Sequence, residues 1–327
     1  MTTDAALPHA AGHERLAHFP IVFFATVMGL SGLALAVTKA EHVLGRAPIL
    51  GPATAVLAAA VMVAVSLLYL AKALRHPGAV AAEWNHPVRL AFFPAASIGL
   101  ILLGTAFQEI APAAAFVLWA AGAAFQITAM LAVVAAWIGH RPFAPQHMTP
   151  AWFIPAVGNI IVPIAGVGFG QFEVSWFFFS VGLVFWIVLT TVVFNRMVFH
   201  DPIPARLLPT LMILVAPPSV GFLAWTRLVG GLDPFGRILF YAAVIFALVV
   251  VTQAGRLRKV AFAMSWWAYS FPLAAFAVAT LRYGELAGSG AHRTAGLALA
   301  ALAGVVIAGL ALRTGRAIAR GEICQPE

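Results

Sequence analysis

The sequence predicts an all-α integral membrane protein. Its ten transmembrane helices form five helical hairpins around a central pore, with odd helices inside and even helices outside. Three observations lead to this fold class. The 327 residues are 62% hydrophobic and only 9% charged, whereas soluble domains carry roughly 25% charged residues. Long apolar segments recur along the whole chain, and prolines fall in alternate segments. A bilayer explains such a composition because lipid replaces water around the apolar faces.

Ten segments of at least 18 residues contain no Asp, Glu, Lys or Arg. A helix needs about 20 mostly apolar residues to cross the hydrocarbon core, while the strands of a membrane barrel need only about 9–11. The segments are 16–38, 47–71, 90–108, 110–140, 142–172, 174–195, 207–226, 238–255, 260–281 and 294–312. We therefore expect ten helical spans.

The spans define one ten-helix transmembrane domain, residues 18–318, between two cytoplasmic tails, residues 1–17 and 319–327. The first apolar segment is as long as a full span and follows no basic segment, so we do not expect a cleaved signal peptide. Thirteen of the 19 Lys and Arg residues lie on the side of both termini. The positive-inside rule puts that side in the cytoplasm. We expect a multi-pass protein of the cell inner membrane that does not bind nucleic acid.

Each odd span carries proline at its start or inside it, whereas the even spans have none after their first residues. Proline removes a backbone donor and frees a carbonyl, which lipid cannot satisfy. Broken helices are therefore expected to face protein or a water-filled path, which places the odd spans inside. The expected kinks lie at Pro20, Pro94, Pro155, Pro163, Pro209, Pro217 and Pro272. The alternative is that these prolines only bend packed helices.

The middle of each span lacks charged residues, and all ten histidines lie in tails, loops or span ends. Haem and metal sites in a membrane need His or carboxylate ligands, so we expect no metal, no cofactor and no enzymatic activity. Proton pumps usually carry a buried carboxylate or histidine relay, and the lack of such residues in mid-span argues against tight proton coupling. Ser97, Asn159, Ser219 and Ser270 are the polar candidates for the pore wall. A single Ser in a membrane helix more often bonds to its own helix.

Four motifs follow one another in the odd spans. They are E-W-N-H-P-V-R at 83–89 with F-F-P at 92–94, P-A-V-G-N at 155–159, A-P-P-S at 216–219, and W-W-A-Y-S-F-P at 266–272. Together they resemble the tellurite-resistance/dicarboxylate transporter family, which includes bacterial TehA and the plant guard-cell slow anion channels. The resemblance implies ten helices around a pore and homotrimers with one pore in each protomer. It also implies a phenylalanine on helix nine that plugs the pore, which is Phe271 here.

The residues and the resemblance favour an anion channel that conducts small monovalent anions, such as nitrate and chloride, through a pore gated by Phe271. A pore without carboxylates offers cations no counter-charge, and the net charge of +8 favours anions at its mouths. Phe23, Phe24, Phe92 and Phe93 are further pore-lining candidates, with ordinary packing as the alternative for each.

Ala25 departs from the resemblance, because family members often have glycine after the aromatic pair. Its methyl group is expected to narrow that end of the pore.

The expected partners are small anions, membrane lipid and two further copies of the chain. A secondary carrier or exporter of C4-dicarboxylates, sulfite or tellurite-type oxyanions is the second candidate function. A membrane receptor or assembly factor is the third, and the broken odd helices argue against it.

Overall fold

The computed structural model describes residues 15–139 and 141–325, which form helices and short connections without a strand. Most of the predicted N-terminal tail and the last two residues of the C-terminal tail lie outside these described residues. In chain order the α-helices are α1 (Phe24–Val43), α2 (Leu50–Arg75), α3 (Pro77–Asn85), α4 (Ala95–Ala106), α5 (Pro112–Ile138), α6 (Phe153–Val157), α7 (Val162–Gly166), α8 (Phe172–Phe199), α9 (Ala216–Leu228), α10 (Pro234–Thr252), α11 (Ala254–Leu257), α12 (Ser270–Leu286) and α13 (Gly290–Ala319).

The predicted odd spans combine α-helix with stretches of 3-10 helix, a tighter helix that usually runs for only a few residues. The 3-10 stretches in these spans are Ile21–Phe23, Arg89–Phe92, Pro150–Trp152, Gly158–Ile161, Ala205–Val215 and Met264–Tyr269. Pro20 and Pro94 each precede a helix, Pro209 lies within the longest 3-10 stretch, and Pro272 lies in the first turn of α12. Proline has no backbone N–H to donate, so it suits the first turn of a helix and interrupts an interior.

The helices form two concentric layers. The inner layer consists of α1, α4, α6 with α7, α9 and α12, and each member packs against the next until α12 closes the ring against α1. The outer helices α2, α5, α8, α10 and α13 each pack against the inner helix that precedes them, which makes five hairpins. In the apolar windows of three inner spans 72–89% of the residues are buried, compared with 22–39% in the outer helices. The inner-odd and outer-even arrangement is therefore confirmed.

Eight helical segments of the described chain are long and apolar enough to cross a membrane. The outer helices have 19–30 residues, which at about 1.5 Å per residue matches a core of about 30 Å. The predicted fifth span corresponds to the shorter apolar stretch Pro150–Gly166, and the ninth corresponds to Met264–Tyr269 followed by α12. The chain is a multi-pass helical membrane protein, while the count of ten spans stays a prediction.

A buried ion pair fixes the start of the first inner helix. Lys72 Nζ lies 2.7 Å from Glu83 Oε2 and donates a second hydrogen bond to the Phe19 carbonyl at 2.8 Å. The other carboxylate oxygen of Glu83 accepts the backbone N–H of Ile21 at 2.7 Å, and the Tyr69 hydroxyl donates to Oε2 at 3.0 Å. Lys72 and Glu83 are each 2% exposed. A buried pair needs such additional hydrogen bonds to offset its desolvation, and these bonds tie α2 and α3 to the chain entering α1.

Candidate functional site

All five members of the inner layer enclose one cavity at the centre of the protein. Met28 of α1, Ile98 of α4, Val157 of α6, Val220 of α9 and Phe271 of α12 are among its lining residues. Its volume is about 60 Å³, which is room for only a few water molecules. The structure therefore contains a narrow central cavity rather than a wide channel.

The wall of this cavity is apolar. Its lining side chains are aliphatic, aromatic, methionine or proline, with one glycine, and none of those in the described chain carries a charge, hydroxyl or amide. The indole of Trp267, which lines the cavity, donates its N–H outward to the Thr314 hydroxyl of α13 at 2.9 Å. An anion in this cavity would meet hydrocarbon and ring faces, which replace little of its hydration.

Phe271 lies in the first turn of α12, where the 3-10 stretch Met264–Tyr269 changes to α-helix. Its side chain is 7% exposed and lines the cavity. Gly32 of α1 lets the ring approach closely, because a Cβ at Gly32 would lie only 3.1 Å from Cδ2 of Phe271. A Cβ at Gly29, one turn earlier, would collide with the Ser270 hydroxyl. The Phe271 ring therefore packs against α1 at Gly32, and the neighbouring Ser270 packs against it at Gly29.

The structure divides the phenylalanine candidates into two groups. Phe23 stacks on Phe19 at 4.5 Å between ring centroids, and Phe24 meets Tyr69 edge to face at 6.0 Å. Phe93 makes edge-to-face contacts with Tyr69 and Trp84. Phe92 and Phe271 both line the cavity, and within the described residues neither ring pairs with another aromatic ring. Contact with another aromatic ring restrains a side chain. Phe92 and Phe271 therefore lack the restraint that holds Phe23, Phe24 and Phe93 in place.

The four polar candidates do not line the cavity in this structure. Ser97 donates to Gln126 of the outer helix α5 at 2.7 Å, and Ser219 and Ser270 each donate to a carbonyl in their own turn. Asn159 donates to the Ala156 carbonyl at 2.7 Å and also contacts the sulfur of Met130 in α5. All four are fully buried between helices. Their role in a pore wall stays a prediction.

The ends of α1 and α12 carry a group of charged residues on the side away from the termini. Lys39 Nζ lies 2.6 Å from Glu285 Oε2, and Arg282 Nη1 lies 3.5 Å from the same oxygen. One carboxylate therefore lies between two cations, and this group of three residues has a net positive charge. A local excess of positive charge attracts anions.

Sequence reasoning missed most of the cavity wall. Ile98, Val157 and Val220 line the cavity, but they are ordinary aliphatic residues in segments that are aliphatic throughout. No residue type distinguishes a wall position from a packed one here. The interruptions by 3-10 helix also change the helical period, so the facing side cannot be read from sequence spacing alone. Within the described chain, no group of three or more His, Cys, Asp or Glu residues is arranged to hold a metal ion.

Comparison with known proteins agrees with the resemblance that the four motifs indicate. Residues 18–315 match the model of the SLAC1 family, described as "Voltage-dependent anion channel". The chain is 27% identical to the S-type anion channel SLAH2 of Arabidopsis thaliana over 85% of this chain and 55% of that protein. It is 26% identical to the guard cell S-type anion channel SLAC1 of the same plant over 86% of this chain and 52% of that protein. The tellurite resistance protein TehA homolog of Haemophilus influenzae is 24% identical over 79% of each chain.

Proposed function

Because the chain belongs to the SLAC1 family of voltage-dependent anion channels, we propose that it is an anion channel whose path runs through the inner layer of helices. Its plant relatives are named as S-type anion channels, and the chain spans about half of their length. We propose conduction by the described transmembrane unit alone.

One observation carries the proposal of a phenylalanine gate. Phe271 lies on the wall of a cavity that all five inner members enclose, and its ring packs against Gly32 of α1. A ring in this position blocks a narrow path by its bulk and by excluding water, and it can move away without breaking a polar contact. The closed state then corresponds to the narrow cavity of about 60 Å³.

Small monovalent anions are the substrate class that this site favours. The charged group of Lys39, Arg282 and Glu285 supplies attraction, while the apolar wall replaces little of an ion's hydration shell. Anions that lose water easily should therefore pass better than strongly hydrated ones. We propose that nitrate passes better than chloride, and that sulfate passes poorly.

Reversal potentials of the purified protein in a planar bilayer test this function. We expect ohmic currents that follow the anion gradient without any proton gradient, in the order nitrate, chloride, sulfate. Currents that follow a cation gradient would refute the proposal.

The name of the Haemophilus relative keeps a carrier or exporter of oxyanions as the second candidate. That function predicts substrate flux from liposomes with little or no ohmic current.

We also propose that both termini are cytoplasmic in the cell inner membrane and that three copies assemble. The excess of Lys and Arg on the side of the termini supports this orientation. After replacing Cys324, the only cysteine, a cysteine at the exposed Ala287 should react with an impermeant reagent in cells whose outer membrane has been permeabilised. Protection at Ala287 together with labelling at either terminus would reverse the orientation. Cross-linking in native membranes measures the number of copies.

A further inference from the structure

A second cavity lies near the membrane surface on the side of the termini. The end of α8, the 3-10 stretch Ala205–Val215 and the end of α10 enclose it. Its volume is about 300 Å³, at the lower end of the roughly 300–1,000 Å³ typical of small-molecule sites. This cavity is separate from the central one and shares no lining residue with it.

Basic and apolar groups line this cavity together. Arg196, His200 and Arg256 contribute the basic side chains, and no carboxylate of the described chain lines it. Asp201 follows His200 in the sequence but is exposed and is not part of the lining. Eight of the twelve lining residues are apolar. The chemistry therefore suits a ligand that has an anionic group attached to hydrocarbon.

Arg196 is the strongest sign that an anion belongs here. Its side chain is only 2% exposed, and its Nε donates to the Pro145 carbonyl at 3.3 Å. Its two terminal nitrogens, Nη1 and Nη2, are buried and have no hydrogen-bond partner within the described residues. A buried charge without a counter-ion is strongly unfavourable. Because Arg196 also lines the cavity, its two terminal nitrogens are available to an anion bound there, and two parallel hydrogen bonds to oxygens are the geometry that Arg favours.

We propose that this cavity binds the phosphate group of an anionic phospholipid. Basic pockets between transmembrane helices on the cytoplasmic side are typical sites for acidic headgroups. The apolar lining suits the glycerol backbone and first methylenes of a lipid better than it suits a free phosphate. Val251, next to the lining residue Val250 in α10, and Phe199 in α8 are 66% and 75% exposed. They provide an apolar surface along which the acyl chains continue into the bilayer.

The site also contacts an inner helix. Leu208, Leu211 and Leu214 line the lipid cavity, while Ile213 of the same 3-10 stretch lines the central cavity. A bound lipid therefore stabilises the position of one wall segment of the central cavity. This regulatory consequence rests on the proposed channel function, whereas the binding itself does not.

Binding can be measured without any ion current. The full-length protein is purified in neutral detergent and titrated with phosphatidylglycerol, phosphatidylcholine or inorganic phosphate. Native mass spectrometry counts the bound lipid, and a thermal melt follows the stabilisation that ligand binding gives to the folded state. We expect saturable binding and a higher melting temperature with phosphatidylglycerol only.

Two variants and one control locate the site. Arg196→Gln and Arg256→Gln should each weaken phosphatidylglycerol binding about tenfold or more, because each removes charge-assisted hydrogen bonds. Arg316→Gln removes an exposed charge of α13 on the same side and should bind like the wild type. If Arg196→Gln does not fold, the exposed Arg256 alone decides the result. Equal binding of phosphatidylcholine, an equal effect of inorganic phosphate, or unchanged binding by the folded variants would each overturn the proposal.

Discussion

Replacing Phe271 with alanine separates a gating ring from a packed one. Truncation of a sealed core phenylalanine costs about 3–5 kcal/mol, of which transfer of the ring from water accounts for roughly 1.5–3 kcal/mol. The remainder, about 2 kcal/mol, comes from the void left behind. Phe271 already faces the cavity on one side, so its removal breaks fewer packing contacts and this part should be smaller. We expect Phe271→Ala to cost only about 2 kcal/mol of unfolding free energy.

Phe222→Ala is the matched control. Phe222 lies on the inner helix α9 and is fully buried. Its ring centroid lies 5.6 Å from that of Phe240 and 5.9 Å from that of Tyr283. Its truncation should cost about 4–5 kcal/mol, the upper part of the range for sealed core positions. Denaturation in detergent compares the two variants under the same conditions.

The current measurement completes the test. Each 1.4 kcal/mol by which the ring raises the barrier corresponds to a tenfold change in rate, so Phe271→Ala should raise the anion current tenfold or more. Phe271→Leu should give an intermediate current, because leucine fills part of the same space. Phe222→Ala should not raise the current. A stable Phe271→Ala protein with wild-type current would refute the gate and return Phe271 to ordinary packing.

The contact with Gly32 gives an independent change in the opposite direction. A methyl group at Gly32 would lie 3.1 Å from Cδ2 of Phe271 and 3.2 Å from Cβ of Ala274. Both distances are shorter than ordinary contact, and the first should push the ring toward the cavity. Gly32→Ala should therefore lower the basal current in the wild type and leave it unchanged in a Phe271→Ala background. A similar reduction in both backgrounds would mean that the methyl group acts on helix packing and not on the ring.

Three further predictions follow from the contacts described above. Glu83→Gln should destabilise the protein by about 3–5 kcal/mol in a detergent melt, because it leaves the buried Lys72 without its counter-charge; a change below 1 kcal/mol would contradict this. In a Cys324→Ser background, Val157→Cys should react with small aqueous thiol reagents when the channel is open, because Val157 lines the cavity. Ser97→Cys should not react, because Ser97 faces α5. Equal reactivity of the two variants would mean that the cavity is not the conducting path. The N–H of Gly236 at the start of α10 lowers the pKa of Asp233. The stability that this hydrogen bond contributes should therefore disappear as the pH falls through that lowered pKa. Asp233→Ala should remove this part of the acid sensitivity along with about 1 kcal/mol of stability.

The two layers could be predicted because the bilayer imposes simple requirements. Charged residues mark the ends of segments, and proline marks helices that protein rather than lipid must cover. The eight long spans follow from these rules. The fifth and ninth predicted spans are harder to count, because α6 and α7 are five residues each and 3-10 helix precedes α12. In both spans, residues of the 3-10 stretches line the cavity.

The candidate site could be predicted only in part. The motif around Phe271 identified a residue that lines the cavity, whereas Ser97 and Asn159 were selected because they are polar. In an apolar environment a hydroxyl or amide first satisfies itself on a nearby carbonyl or on the neighbouring helix, and both side chains turn toward α5. The pairing of Lys72 with Glu83 also escaped detection, because the two residues lie on different helices and both look like ordinary span-end charges in the sequence.

The closure of the ring has a consequence for biosynthesis. The first inner helix, α1, and the last, α12, meet at Gly29 and Gly32, so nearly the whole chain must leave the ribosome before the ring can close. Each earlier hairpin can insert as it is made, but contacts between such distant parts of a chain form late. Phe271 lies on this final seam. If Phe271 is the gate proposed above, an assembly intermediate with four hairpins would lack its plug, and completion of the fold and sealing of the membrane would occur in the same step.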